Sequence, residues 1–219
     1  MASLAEGTMG ITILASLAIG YACGMLLTAD VVCRTVCGKS AFETGVGNPG
    51  MANVGHELGV RWAAVVLAGD IGKTLLAWLA CRALFPGDAA TAGVMAGLGA
   101  TLGHNYPAWH RFRGGKGVTT TCTAIFLTNP VLGIVSCLAG FVEVLFCGYL
   151  CMGAITISVA WLVLSIIFGD VYQSIAAVTL LVLMVLAHGG PVMGIRDGST
   201  GKASISEHFL SLFHKGHRG

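Results

Sequence analysis

The sequence predicts an all-α integral membrane protein with about seven transmembrane helices. Its N-terminus is expected outside, its C-terminus in the cytoplasm, and residues 1–219 are expected to form a single membrane domain. Three observations support this. The chain is 55% apolar and only 10% charged, against roughly a quarter charged in soluble domains, and its mean hydropathy is +0.83. Apolar runs recur at lengths that cross a hydrocarbon core of about 30 Å as helices. Basic residues gather in alternate connections rather than spreading evenly. With a net charge of +2, the chain lacks the electrostatic footprint of a nucleic-acid binder, and no nucleic-acid partner is expected.

The expected spans cover residues 8–28, 62–80, 89–103, 118–128, 131–147, 153–168 and 172–187. No Lys or Arg precedes the first, and Glu6 does; a cleaved signal sequence would open with positive charge, so this run reads as a retained span. Residues 30–61 form a polar connection whose centre, Gly45-Val46-Gly47-Asn48-Pro49-Gly50, cannot be regular helix. The second span carries Asp70 and Lys73, three apart on one face, where a pair or a wet cavity offsets the cost of intramembrane charge. The third span is rich in small residues, and Gly20/Gly24, Gly93/Gly97 and Gly99/Gly103 have the spacing of close helix contacts. Residues 118–128 are short for a full crossing and stop at Asn129-Pro130. The remaining runs are broken at residues 148–152 and at Gly169-Asp170. Beyond His188, residues 204–215 have capping-box spacing at Ser204 and Glu207, with Ile205, Phe209, Leu212 and Phe213 on one face, the pattern of an interfacial helix.

Of the 12 Lys and Arg residues, all but Lys73 and Arg82 fall in connections on one side of this topology, which the positive-inside rule makes cytoplasmic. The glycine-rich loop at 45–50, the stretch from Gly103 to Thr121 and the tail then share one membrane face.

The stretch GHNYPAWHRFRGGKGVTTT is the densest polar and basic island in the chain. Arg113-Gly114-Gly115-Lys116-Gly117 suits an anion, because glycines let successive N–H groups converge and Lys116 adds a full charge. A helix starting at Val118 would add its N-terminal dipole. The loop is no Walker A motif, since His110 and Gly117 stand where that pattern needs glycine and Ser/Thr. Tyr106 and Trp109 have the character of interfacial anchors. His104, Asn105 and His188 lie at helix ends, where a histidine either caps the helix, binds phosphate or transfers a proton. No ligand spacing favours a metal. The eight cysteines contain no C-x-x-C and read as small apolar packing residues. Neither a metal nor a cofactor is expected.

The second motif, GHNYPAWHRFRGGKGVTTT, resembles that of the bacterial acyl-phosphate-dependent membrane glycerol-3-phosphate acyltransferases (the PlsY family), and the GxGNPGxxNVG pattern at 45–55 resembles their first motif. The Asp70/Lys73 pair is also similar, and the likeness runs from about residue 10 to His188. The resemblance implies a multi-pass enzyme of the bacterial plasma (inner) membrane with seven helices and a site facing the cytoplasm. It would move a fatty acyl group from acyl phosphate to glycerol 3-phosphate, giving lysophosphatidate. Acyl phosphate, glycerol 3-phosphate and membrane lipid are the implied partners. By the same resemblance, His104, Asn105, Lys116 and His188 carry the chemistry, and Asn48, Gly50, Asn53, His56, Gly114, Gly115 and Gly117 line the substrate site.

The chain departs from the family pattern at several positions. Val46 stands where the first motif has serine, Ala52 where it has threonine, and His56 where an arginine follows. Gly148, Cys151 and Ala154 replace an Arg and serines, and His188 is followed by Gly189, Gly190 and Pro191 instead of leading to an asparagine and basic residues. A hydrogen bond to a charged group is worth roughly 1.5–3 kcal/mol, so these losses leave a second reading beside the enzyme: a non-catalytic relative that binds acyl phosphate or anionic lipid as a sensor or partner subunit.

Overall fold

The computed structural model describes residues 2–203 and Ser206. The interfacial helix expected at 204–215 otherwise lies outside the described residues. All regular structure among them is helical, in two compact units that meet in sequence between Thr128 and Asn129. Five stretches are long and apolar enough to cross a membrane: Gly7–Cys37, Val60–Leu84, Pro130–Cys147, Leu150–Phe168 and Val171–Asp197.

The first unit contains α1 (Ala2–Gly24), α2 (Thr28–Cys37), α3 (Met51–Leu58), α4 (Val60–Leu84), α5 (Ala89–Asn105) and α6 (Val118–Thr128). Helix α5 is its hub, packed against α1, α4 and α6 and buried along most of its length. Its small residues are the reason. A Cβ on Gly99 would strike the Leu17 carbonyl and one on Gly103 the Tyr21 carbonyl; from the other side, one on Gly20 would strike Ala96. The α1 and α5 backbones therefore touch, as the glycine spacing predicts.

The second unit contains α7 (Pro130–Cys147), α8 (Leu150–Phe168) and α9 (Val171–Asp197), with α8 packed between the other two. Asn129 caps α7, its side chain accepting the Leu132 N–H at 3.2 Å, and Pro130 fills the first turn, where no donor is needed. Asp170 caps α9 through the Gln173 N–H at 2.8 Å. Gly140 and Gly153 bring α7 and α8 together. Phe141, Phe146, Ile166, Phe168 and Leu186 are exposed, an apolar outer surface that belongs in lipid rather than water.

Two features differ from the sequence expectation. The connection at 30–61 contains two short helices. Helix α2 buries Ala29, Asp30, Val32 and Cys33 while Arg34, Thr35 and Val36 stay exposed, and Gly38 ends it at φ +71°. Helix α9 does not stop at 187 but runs through Pro191 to Asp197. The N–H that Pro191 lacks costs one helical bond. The turn beyond is closed by Thr200, whose hydroxyl donates to the Pro191 carbonyl at 2.7 Å and whose N–H donates to Gly194 at 3.0 Å.

If the α1–α5 contact sets the stability of the first unit, Gly103→Leu overpacks it and costs about 1–3 kcal/mol. A thermal melt in detergent will show this as a lowered midpoint. Gly72→Ala, which meets nothing within 4 Å, will leave the midpoint unchanged.

Candidate functional site

The first loop is held by two buried polar side chains. Asp30, 5% exposed, points from α2 into the loop. One carboxylate oxygen accepts the Ser40 hydroxyl at 2.6 Å and the Ala41 N–H at 2.9 Å; the other accepts Arg34 Nε at 2.8 Å. Asn53, also 5% exposed, holds the far side: its amide donates to the Thr44 carbonyl at 2.8 Å and its oxygen accepts the Val46 N–H at 3.0 Å. Both ends of the Asn53 side chain are thus bonded to the loop backbone, so in this structure it shapes the loop. Asn48 and Gly50 form the tight turn that leads into α3, with the Gly50 N–H donating to the Asn48 carbonyl at 2.8 Å.

The second loop begins where α5 ends. The Tyr21 hydroxyl donates to the Tyr106 carbonyl at 2.7 Å, and residues 107–113 close a compact turn in which the Phe112 N–H reaches the Pro107 carbonyl. Arg111 (φ 55°) and Phe112 (φ 58°) adopt left-handed backbone, which costs roughly 1–2 kcal/mol per non-glycine residue. The chain then runs back along the end of α5. The Gly115 N–H donates to the His104 carbonyl at 3.0 Å, so this amide is already bonded, whereas the sequence reading counted it among the donors to an anion. A Cβ on Gly115 would collide with His104 Nε2, and Gly117, at φ +74°, lies against the Asn105 side chain. A side chain at 115 would have to displace the buried His104 ring, and one at 117 would strain the backbone and crowd Asn105. Among the described residues the Gly114 and Gly117 N–H groups have no bonded partner, and α6 starts at Val118 with its own first amides unpaired by helix geometry. Asn105 is 4% exposed, and neither atom of its amide has a protein partner among the described residues. A buried amide left so is costly unless something else meets it. Lys116 is half-buried between these glycines.

Beneath the loop lies a buried charged cluster. Lys73 Nζ stands 2.8 Å from Asp70 Oδ1, 2.8 Å from the Leu26 carbonyl and 2.8 Å from His104 Nδ1. The Asp70 and Lys73 side chains are each only 3% exposed. The sequence reading offered a pair or a wet cavity for these two; they form a pair, and His104 joins it.

Both loops meet at one cavity of about 350 Å³, lined by Phe42 and Gly47 from the first and by His110, Arg111, Arg113 and Gly114 from the second. His110 packs on the Phe42 ring, centroids 5.3 Å apart, with its Nε2 3.9 Å from Asp30. Of the residues expected at the site, Gly114 lines the cavity, while Asn105, Gly115, Lys116 and Gly117 stand at the adjoining turn. His56 is 84% exposed on α3 and pairs with Glu57 at 2.8 Å. His188 lies in the second unit, buried within α9, its Nδ1 3.0 Å from the Met184 carbonyl. Sequence reasoning gave no site role to Asp30, Phe42, His110 or Arg111, and brought in Arg113 only as the first residue of the anion-suited stretch. The two arginines and His110 were visible in the polar island; Asp30 carried no local signal.

Fold and site together define a multi-pass membrane protein with a basic, glycine-lined cleft suited to an anion. The glycerol-3-phosphate acyltransferase family pattern matches residues 14–198. A glycerol-3-phosphate acyltransferase of Thermus thermophilus is 35% identical over 185 residues, covering 84% of this chain and 92% of the relative. That of a Thermoanaerobacter species is 30% identical with the same coverage. A Lactobacillus johnsonii protein, glycerol-3-phosphate acyltransferase 1, is 39% identical over 125 residues, but that match spans only 60% of its length. The crystal structure of PlsY, an integral membrane glycerol 3-phosphate acyltransferase, in its glycerol 3-phosphate form superposes with a TM-score of 0.78 at 26% identity, covering 89% of this chain and 97% of that one. The chain belongs to the glycerol-3-phosphate acyltransferase family.

If Asp30 holds the first loop, Asp30→Ala frees the Ser40 and Ala41 donors. Amide hydrogen exchange at residues 40–47 will then accelerate by about tenfold or more, since bonds to a charged acceptor are worth roughly 1.5–3 kcal/mol. Exchange in the α5 core will stay unchanged.

Proposed function

We propose that this chain transfers a fatty acyl group from acyl phosphate to the 1-hydroxyl of glycerol 3-phosphate, forming lysophosphatidate and releasing phosphate. The carrying observation is that, in a chain of this family, the two glycine-rich loops meet around one basic cavity. The hydroxyl oxygen attacks the acyl carbonyl, an ester bond forms, the acyl–phosphate bond breaks, and the hydroxyl proton leaves with the departing phosphate. The protein's work is to hold two phosphate groups and the acyl carbonyl in register. Lys116, the Gly114 and Gly117 amides and the first turn of α6 receive the acyl phosphate, where donors aimed at developing negative charge count most. The unpartnered Asn105 amide meets an oxygen of the same group. His110, Arg111 and Arg113 face the second phosphate, with Asn48, Gly50 and Asn53 keeping the first loop open to it. His188 belongs to this reading through the family resemblance, and His56 through its place on α3 beside the first loop. Gly115 acts by close packing, not as a donor.

The departures at Val46, Ala52 and His56 leave the frame of the first loop intact. All three side chains are exposed, and the backbone frame set by Asp30 and Asn53 does not use them. Residues 1–219 act as one membrane domain in this reading. Helices α5 and α6 complete seven spans, although 17 and 11 residues reach only about 26 Å and 17 Å. The cleft faces the cytoplasm, because its arginines lie on the side where Arg34, Lys39 and Arg61 also gather.

Purified protein supplied with an acyl phosphate and glycerol 3-phosphate will release phosphate and form lysophosphatidate. Lys116→Ala will lower turnover by about 100-fold or more, the usual effect of removing a donor aimed at a developing charge. Release no greater than that of Lys116→Ala would sink the enzyme reading and leave a binder of acyl phosphate or anionic lipid.

A further inference from the structure

The buried Asp70–Lys73 pair makes contacts well beyond α4. An ammonium has three protons to donate, and in Lys73 each has an acceptor: Asp70 Oδ1 on the same helix, the Leu26 carbonyl at the α1–α2 junction and His104 Nδ1 on α5, all at 2.8 Å. The Thr28 hydroxyl adds a longer contact to Asp70 at 3.4 Å. An ammonium has no lone pair, so a charged Lys73 can only donate to Nδ1, and that contact selects the tautomer with the imidazole proton on Nε2. Nε2 is the atom that packs against Gly115, and the His104 carbonyl accepts the Gly115 N–H. The second loop therefore rests on His104 twice, through its ring and through its backbone. His104 in turn rests on a charge buried inside the first unit.

We infer that Asp70 and Lys73 are positioning residues for acyl transfer: they fix the tautomer and orientation of His104, and His104 sets the height of the Gly114–Gly117 loop on which the phosphate is held. This rests on the proposed transferase reading. His104 is then the support on which the loop sits, although at the sequence level it ranks with the catalytic residues. The arrangement has a physical logic. A buried pair contributes little net stability, since desolvation offsets attraction, but it has one low-energy geometry. A loop built largely of glycine has many geometries. Tying the flexible loop to the rigid pair selects one of them, and placement errors near 1 Å are enough to cost about 100-fold in rate.

The test uses the full-length protein in detergent. Asp70→Asn/Lys73→Met removes both charges together, so no unpaired charge is left buried and the fold is retained. Turnover is measured for wild type, this double variant, His104→Ala and the triple variant. The double variant will lose at least about fivefold in kcat, and the triple variant will match His104→Ala within about twofold, because the pair acts through the histidine. A double variant within fivefold of wild type, or losses that multiply in the triple variant, would overturn the inference. Nitrogen NMR of 15N-histidine-labelled wild type supplies a readout independent of activity and of how the variants fold. The His104 signals, assigned by their loss in His104→Ala or by contact with labelled Lys73, will show a protonated Nε2 and an accepting Nδ1. A protonated Nδ1 would overturn the inference. If wild type transfers no acyl group, the transferase reading fails and the NMR result alone decides whether the pair holds His104.

Discussion

A lysine ammonium cannot sit inside an apolar bundle without partners; the residual penalty for burying an ion is several kcal/mol even after relaxation. Lys73 meets this constraint with three acceptors from three parts of the chain. That fixes where the α1–α2 junction, α4 and α5 stand relative to one another at the end of the first unit. The close backbone contact of α1 with α5 through Gly20, Gly99 and Gly103 does the same along the helices. Together they make a rigid floor, and the second loop lies on it.

The first loop is built by a different device. It has few apolar side chains to bury, so its shape comes from two buried hydrogen-bonding groups, Asp30 below and Asn53 behind. Each satisfies loop backbone that a glycine-rich segment could not satisfy by regular structure. The side chains facing outward, such as Val46 at 86% exposure, are then free to vary. This explains how the chain departs from its family's first motif while keeping the loop. The cavity between the two loops carries Arg111, Arg113, His110 and Gly114 on one wall and Phe42 and Gly47 on the other, an arrangement suited to an anion.

Much of this was legible in the sequence. The apolar runs located the long helices, and the glycine spacing marked faces built for close helix contact, though not that α1 and α5 are partners. The polar island located the second loop, because basic residues and glycines between two apolar stretches have few other uses. Three things were hidden. The role of His104 depends on Lys73, far earlier in the chain and on another helix, and no local pattern reports such a meeting. Asp30 looked like the start of a polar connector because its partners, Ser40 and Ala41, return to it only once the chain folds back. The helical course of α9 through Gly189-Gly190-Pro191 was masked by residues that usually end helices, and only the closing bonds from Thr200 make the continuation visible.

The central claim is that the glycine loop, held on His104, offers its remaining amides to a phosphate. Residue-resolved amide exchange at Gly114, Gly115 and Gly117, with and without a non-transferable acyl phosphonate, tests it most directly. Gly115, bonded to the His104 carbonyl, will exchange slowly in both conditions. Gly114 and Gly117 will exchange rapidly alone and slow by about tenfold or more when the phosphonate binds, as amides do on gaining a charged acceptor. Rapid exchange at Gly115 in the free protein, or unchanged exchange at Gly114 and Gly117 with bound phosphonate, would contradict the account.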